Sequence, residues 1–319
     1  MSVDKLFAQA QSKTILAPMA GYTDFAFRQI CHEYGVGLTV TEMVSSKALV
    51  MNSDMSRKML FRLSGDTPAT CQIFGHEPSV MAESVQIPEV MQYDGVDINM
   101  GCPVRKIVSN GDGSALLENP TLASKCISAV KLAVKDKPVS VKFRLGVDNS
   151  DNAVDFAKIC KDSGADFITV HFRTRKQMYS GIADFTLLPN IVSVGLPVFA
   201  NGDVTTKSQY DNLIENGAYG VAIGRGAVGR PYVFAEIANK SYIMDVNDVI
   251  NRHAQMLLQI FDDRTVCNEL KKHVACYLKG KRNAKSVIVA CNSAKTTKQI
   301  LDMVSEFLSA NKQFSQIVG

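Results

Sequence analysis

Eight short runs of β-branched and other apolar residues recur along the first 224 positions, at 14–18, 38–42, 69–74, 95–99, 139–144, 167–171, 198–201 and 220–224. Strands spaced by helix-length intervals point to a parallel sheet with crossover helices. Several of the runs are apolar throughout, as burial on both faces demands, and most of the intervals are long enough for a helix to return the chain. Eight such units close most economically into a (β/α)8 barrel, the TIM-barrel architecture. An open doubly wound sheet carries the same alternation, because strand count alone does not prove closure. The 319 residues suffice for a barrel of roughly 250 residues with a smaller appended domain.

Beyond residue 240 the alternation stops and helical spacing takes over, as in Leu270, Val274, Tyr277 and Leu278. The expected organisation is a barrel over residues 1–240 and an all-helical C-terminal domain over 241–319. The net charge of +4 is too small to imply a nucleic-acid partner; its placement says more. Between Arg264 and Lys298 stand nine Lys or Arg against one acid, Glu269, with concentrations at Lys271-Lys272-His273 and Lys279-Gly280-Lys281-Arg282. A solvated helix face explains this stretch alone; beside a polar barrel mouth it reads as a phosphate-contacting surface. The eight cysteines at 31, 71, 102, 126, 160, 267, 276 and 291 form no C-x-x-C pair and no metal-ligand spacing, so separate thiols and no metal are expected. The N-terminal residues lack the basic start and apolar stretch of a signal peptide, and no run of about 18 apolar residues follows. A cytoplasmic protein with no membrane partner is expected, monomer being favoured among oligomeric states that the sequence leaves open.

Polar and reactive residues fall at the C-terminal ends of the eight runs: Glu42, Gln72, Asn99, Lys142 with Arg144, His171, Asn201 and Arg225. In a barrel that edge carries the active site. Asn201-Gly202-Asp203 follows the seventh run and Gly224-Arg225-Gly226 the eighth, where backbone N–H groups cradle an anion, unless these residues simply make tight turns. Gly224 to Gly229 also spells G-x-G-x-x-G, but a dinucleotide fingerprint belongs in the first βα turn of its domain, and seven strand candidates precede it here. Lys142 and Arg144, two apart on one strand, share the inward face. Such cations require anionic partners; a reduced flavin or polarised carbonyl supplies one, a Schiff-base lysine or an internal salt bridge being the rival readings. Cys102, between Gly101 and Pro103 just past the fourth run, is either a small core hydrophobe or an exposed thiol able to give up a proton at neutral pH. His171 suits a core position or a hydrogen bond to flavin or substrate.

Taken together, the segments Ala17 to Asp24, Asp97 to Pro103, Val141 to Arg144, His171 to Arg175, Ala200 to Asp203 and Ile223 to Arg225 resemble the tRNA-dihydrouridine synthases, most closely the bacterial B-type branch. The resemblance holds in order over about residues 14–235 and continues more weakly through Lys272-His273-Val274 and Tyr277-Leu278. It implies an FMN barrel followed by a helical tRNA-binding domain, with NADPH (or NADH) as reductant and D-loop uridine of tRNA as substrate. Carried over by position, Pro18, Met19 and Ala20 would line the flavin, and Gln72 and Lys142 would contact its ring. His171 would lie near it, while Asn201, Gly202, Asp203, Gly224 and Arg225 would hold its phosphate. Asn99, Arg144 and Arg173 would meet the substrate, with Lys271, Lys272, Lys279, Lys281 and Arg282 along the RNA. Cys102 would be the catalytic acid, giving a proton to uracil C5 while hydride from the flavin adds at C6. Turning the uridine out of its stack would cost a few kcal/mol.

Two positions depart from the family pattern: Phe172 stands where B-type members often have Gly, and Asp112 brings an acid into the Asn110 to Gly113 loop after the cysteine. The competing functional readings are a flavin barrel acting on a free small molecule such as a dihydropyrimidine, a Schiff-base aldolase using Lys142, and an RNA chaperone that has kept the fold without the chemistry.

Overall fold

The computed structural model describes residues 3–150 and 152–317, with side chains described as far as residue 311. The outer limits of the two expected domains, residues 1 and 319, lie outside the described residues. Nine strands form one parallel sheet: β1 (Thr14–Leu16), β2 (Leu38–Val40), β3 (Val44–Ser45), β4 (Ala69–Phe74), β5 (Gly95–Met100), β6 (Val139–Arg144), β7 (Phe167–His171), β8 (Val198–Asn201) and β9 (Gly220–Ile223). Because β1 pairs with both β2 and β9, and β2 with β4, the sheet closes into an eight-fold barrel. The open-sheet alternative is thereby excluded.

The second barrel strand is interrupted. Val40 stands opposite Thr70 and Val44 opposite Ile73, so four steps on one side meet three on the other, the signature of a bulge. Glu42, expected at the end of a continuous strand, lies in that break instead. Its displacement is local: Thr41 keeps the register through its backbone bond to Thr70 and a side-chain bond from the Gln72 N–H at 2.9 Å.

Apolar residues divide between three regions. The largest cluster lies between the strands and the outer helices, and includes Ile73, Ile98, Val141 and Val170. A second closes the N-terminal end of the barrel, where Phe7 stacks on Phe199 at 5.2 Å. The third fills the helices Val246–Leu257, Asp263–Tyr277, Ala284–Asn292 and Thr297–Ile317, and takes in Phe25, Ala26 and Ile30 from the helix Phe25–Glu33 of the first βα unit. The C-terminal helices thus share a core with one barrel helix. No helix among the described residues is long and apolar enough to cross a membrane.

Candidate active site

At the C-terminal ends of the strands lies a cavity of about 630 Å³, and most of the residues singled out by sequence converge on it. Pro18, Met19 and Ala20 form one wall, held in a compact turn in which the Met19 carbonyl accepts from Tyr22 and Thr23. The next wall is built on Asn99. Its Oδ1 accepts from the N–H groups of Gly101 and Cys102 at 3.2 and 3.0 Å, and its Nδ2 donates to Gln72 Oε1 at 3.0 Å. Gln72 in turn donates to Asp97 at 2.6 Å. The Cys102 carbonyl is fixed from the other side by the Ser114 N–H and hydroxyl. This places the thiol on the cavity wall in a turn that is satisfied at both ends.

Lys142 and Arg144 both face the cavity, as period-two spacing requires. Lys142 Nζ donates to Asn201 Oδ1 at 3.2 Å. Burial and the neighbouring Arg144 pull its ammonium down to about 8. Arg144 donates to the carbonyls of Gly101, Thr174 and Met178 at 2.8, 3.2 and 2.7 Å, and so ties the cysteine turn to the loop after β7. Burial, and then the cations Lys142, Arg144, Arg173 and Arg225, drive the His171 pKa down to about 2, so the imidazole is neutral. Burial pushes the Cys102 thiol up, against a backbone hydrogen bond from Val104 and the nearby Arg144 and Lys142. The thiol therefore holds its proton at neutral pH.

Asn201, Gly202, Asp203, Gly224 and Arg225 close the far side. Asp203 accepts from Arg225 at 2.6 Å and also from Arg173. Among the described residues it is the one acid on a wall that carries Lys142, Arg144 and Arg225. The cavity accordingly favours an anionic occupant. Two loops also pack closely here: a Cβ at Gly226 would come within 2.5 Å of the Val204 carbonyl oxygen, so only glycine lets the loop after β9 lie against the loop after β8.

Some expected contacts lie elsewhere. Arg173 is 1% exposed and is spent on Asp203 and on the carbonyls of Ser180 and Gly181. Lys271, Lys279, Lys281 and Arg282 belong to the helical region, the last two beside a groove of about 520 Å³ that also borders Leu308. Lys272 alone reaches the mouth, where it pairs with Glu269 and lies 5.9 Å over the Tyr22 ring. Conversely, Met43, Val104 and Tyr179 line the cavity although their positions in the sequence did not point to it, and Tyr22, within the matching segment Ala17 to Asp24, lines it without having been singled out. Tyr179, between Arg144 and Arg225 at 5.5 and 5.8 Å, had no sequence signal of its own. Glu42 lies behind the wall with its carboxylate bonded to the Gly21 N–H; burial, then nearby Asp24, raises it to about 7. Of the two departures, Phe172 is buried against Phe185, and Asp112 Oδ1 accepts from His76 Nδ1 at 2.8 Å.

The family model described as "Dihydrouridine synthase (Dus)" matches residues 15–313. A relative from Rickettsia conorii, named a probable tRNA-dihydrouridine synthase, is 36% identical over 95% of this chain and 95% of its own length. A Pseudomonas aeruginosa protein named tRNA-dihydrouridine synthase B is 37% identical over 84% of each chain. Among solved structures, a variant of NCR from Zymomonas mobilis superposes with a TM-score of 0.54, covering 76% of this chain and 91% of the other, at 16% identity. That likeness speaks to the barrel alone.

Proposed function

The chain belongs to the dihydrouridine synthase family, and we propose that its mouth cavity binds FMN, which NADPH would reduce there, and presents Cys102 to a uridine of the tRNA D-loop. As a tRNA-dihydrouridine synthase it is a flavin-dependent oxidoreductase acting on tRNA. The observation that carries the proposal is the convergence of one protonated thiol and three cations on a single barrel-mouth cavity.

The residues fit a flavin phosphate at one end and an anionic ring at the other. Asn201, Gly202, Asp203, Gly224 and Arg225 would hold the phosphate; Lys142, hydrogen-bonded to the neutral amide oxygen of Asn201, has a charge to offer the ring. Pro18, Met19 and Ala20, on one cavity wall, would line it, and neutral His171 would lie near it. A bound reduced flavin would supply hydride to uracil C6. Cys102 then gives its proton to C5, completing addition across the double bond with no further oxidant or reductant. Asn99 and Arg144 hold the cysteine turn in place, and the remaining donor capacity of each points to uracil oxygens as their second role. The basic residues Lys271, Lys272, Lys279, Lys281 and Arg282 would run along the tRNA backbone and offset the cost of turning the base outward. Domains divided near residue 240 and a cytoplasmic setting, with eight cysteines unpaired, complete the reading.

A divided phenotype tests it. Cys102→Ala should retain flavin, released as FMN on denaturation, and accept electrons from NADPH at the unaltered rate. Its reoxidation by tRNA should fall by about 10² to 10⁴-fold, the usual worth of a positioned acid. Release of FAD, or equal loss in both half-reactions, would overturn the assignment.

A further inference from the structure

Away from the cavity, Asp24, His253 and His273 bring three potential ligand atoms within 4.8 Å of one another. Both histidines are fully buried. His253 Nε2 lies 3.1 Å from each Asp24 oxygen and His273 Nε2 lies 3.3 Å from Oδ2. Asp24 Oδ1 also caps the helix Phe25–Glu33 through the N–H groups of Ala26 and Phe27, at 3.0 and 2.9 Å. The cluster therefore joins the loop that begins at Pro18 and lines the cavity to two helices of the C-terminal bundle. An apolar trio of similar size would bury more cheaply, since among the described residues His253 Nδ1 and both ring nitrogens of His273 lack a hydrogen-bond partner, His273 Nε2 meeting Asp24 only as a close polar contact. The same junction is tightened by Lys272, whose Nζ lies 2.9 Å from where a Gly21 Cβ would stand.

We propose that His253 and His273 are positioning residues for tRNA reduction: through Asp24 they fix the angle between the RNA-facing helices and the flavin-lined wall. The inference rests on the reading that the bundle contacts tRNA. A tRNA must reach both surfaces at once, so a junction held in advance spares the ordering that binding would otherwise require. Charge agrees with the geometry. Burial opposes ionisation of Asp24, but His253 and then His273 hold its carboxyl well below the usual range. Burial and His253 lower His273 to about 4, against the pull of Asp24. Arg28, which also faces Asp24, is neutralised by Asp66 at 2.7 Å, and the remaining groups around the cluster are Glu42, Cys31, Tyr277 and Lys272. Asp24 is thus a carboxylate beside a neutral His273.

The test uses the full flavin-loaded chain. His273→Ala should raise both Kd and KM for tRNA about tenfold, within the range of contacting pairs, with kcat at saturating tRNA and the rate of flavin reduction by NADPH little changed. His273→Gln, which can still donate to Asp24, should recover most of the loss. Asp24→Asn keeps the helix-capping oxygen but removes the charge, and should weaken tRNA binding even if His273→Ala fails to fold. Unchanged tRNA affinity in these variants, or a parallel fall in the NADPH half-reaction, overturns the positioning role. So does one zinc ion per chain whose removal by chelator mimics the variants. If the unaltered protein makes no dihydrouridine, the proposed function itself fails; if it does and the variants match it, only the positioning role fails.

Discussion

Lys142 sets the electrostatics of the cavity, and its inward direction could be read from its two-residue separation from Arg144. What could not be read was how few anions would meet it. Asp97 below is tied up by Gln72 and Ser140 and raised to about 6, chiefly by burial, and Asn201 offers only an amide oxygen. The free protein therefore holds Lys142 near 8, below the ordinary lysine value. An anionic flavin would stabilise the charged form and raise that value in the complex. Affinity is then full below pH 8 and declines as pH rises through it, by up to about tenfold per unit. Titrating reduced FMN, under anaerobic conditions, into flavin-stripped protein from pH 7 to 9 should show this decline, and Lys142→Met should show weaker, pH-independent binding. An equal decline in both would assign the effect to another group. Asn99 and Arg144 teach a related lesson: their types and positions signalled the site, but the structure shows them also holding the Cys102 turn by side-chain bonds to backbone. Such double use is invisible in a residue's identity.

At the scale of elements, the eight strands were legible because short apolar runs at helix-length intervals fit few folds besides a parallel sheet. The bulge between β2 and β3 was not, since one extra residue leaves the hydrophobic run intact while shifting Glu42 out of the ladder. The G-x-G-x-x-G segment follows the last barrel strand, where no dinucleotide fingerprint belongs, but its last glycine has a role that spacing could not disclose. Gly229 sits at φ +77°, and a Cβ there would come 2.5 Å from the Cys276 carbonyl oxygen on the helix Asp263–Tyr277. That glycine is where the loop after β9 meets the bundle. Gly229→Ala should therefore lose both backbone freedom and contact, lowering stability by about 2–4 kcal/mol. Gly280 has similar φ, +83°, with nothing among the described residues within 4 Å of its missing Cβ, so Gly280→Ala should cost only about 1 kcal/mol. Urea denaturation of both variants checks the contrast. Equal losses would mean that backbone conformation alone, and not the junction, constrains Gly229.

For the whole molecule, the barrel and a later helical region were legible from the change of period near residue 240, and the basic bias of 264–298 marked the surface proposed above to face RNA. Their joint was not legible. Asp24 and His253 are 229 residues apart, and neither residue type announces a partner at that distance. Nor could sequence show that Phe25, Ala26 and Ile30 would join the core of the C-terminal helices, because an amphipathic helix declares that it has a buried face but not against what. The resulting molecule offers one cationic cavity flanked by a basic bundle, an arrangement suited to a large polyanion carrying one small reacting group. Nucleoside analysis by mass spectrometry of an unmodified tRNA transcript, incubated with the flavin-loaded protein and NADPH, measures that claim most directly. Dihydrouridine should appear in the D-loop, one for each NADPH consumed, with a rate that falls as salt is raised and with free uridine left unreacted. NADPH consumption without dihydrouridine in the tRNA, or equal reduction of free uridine, would contradict it.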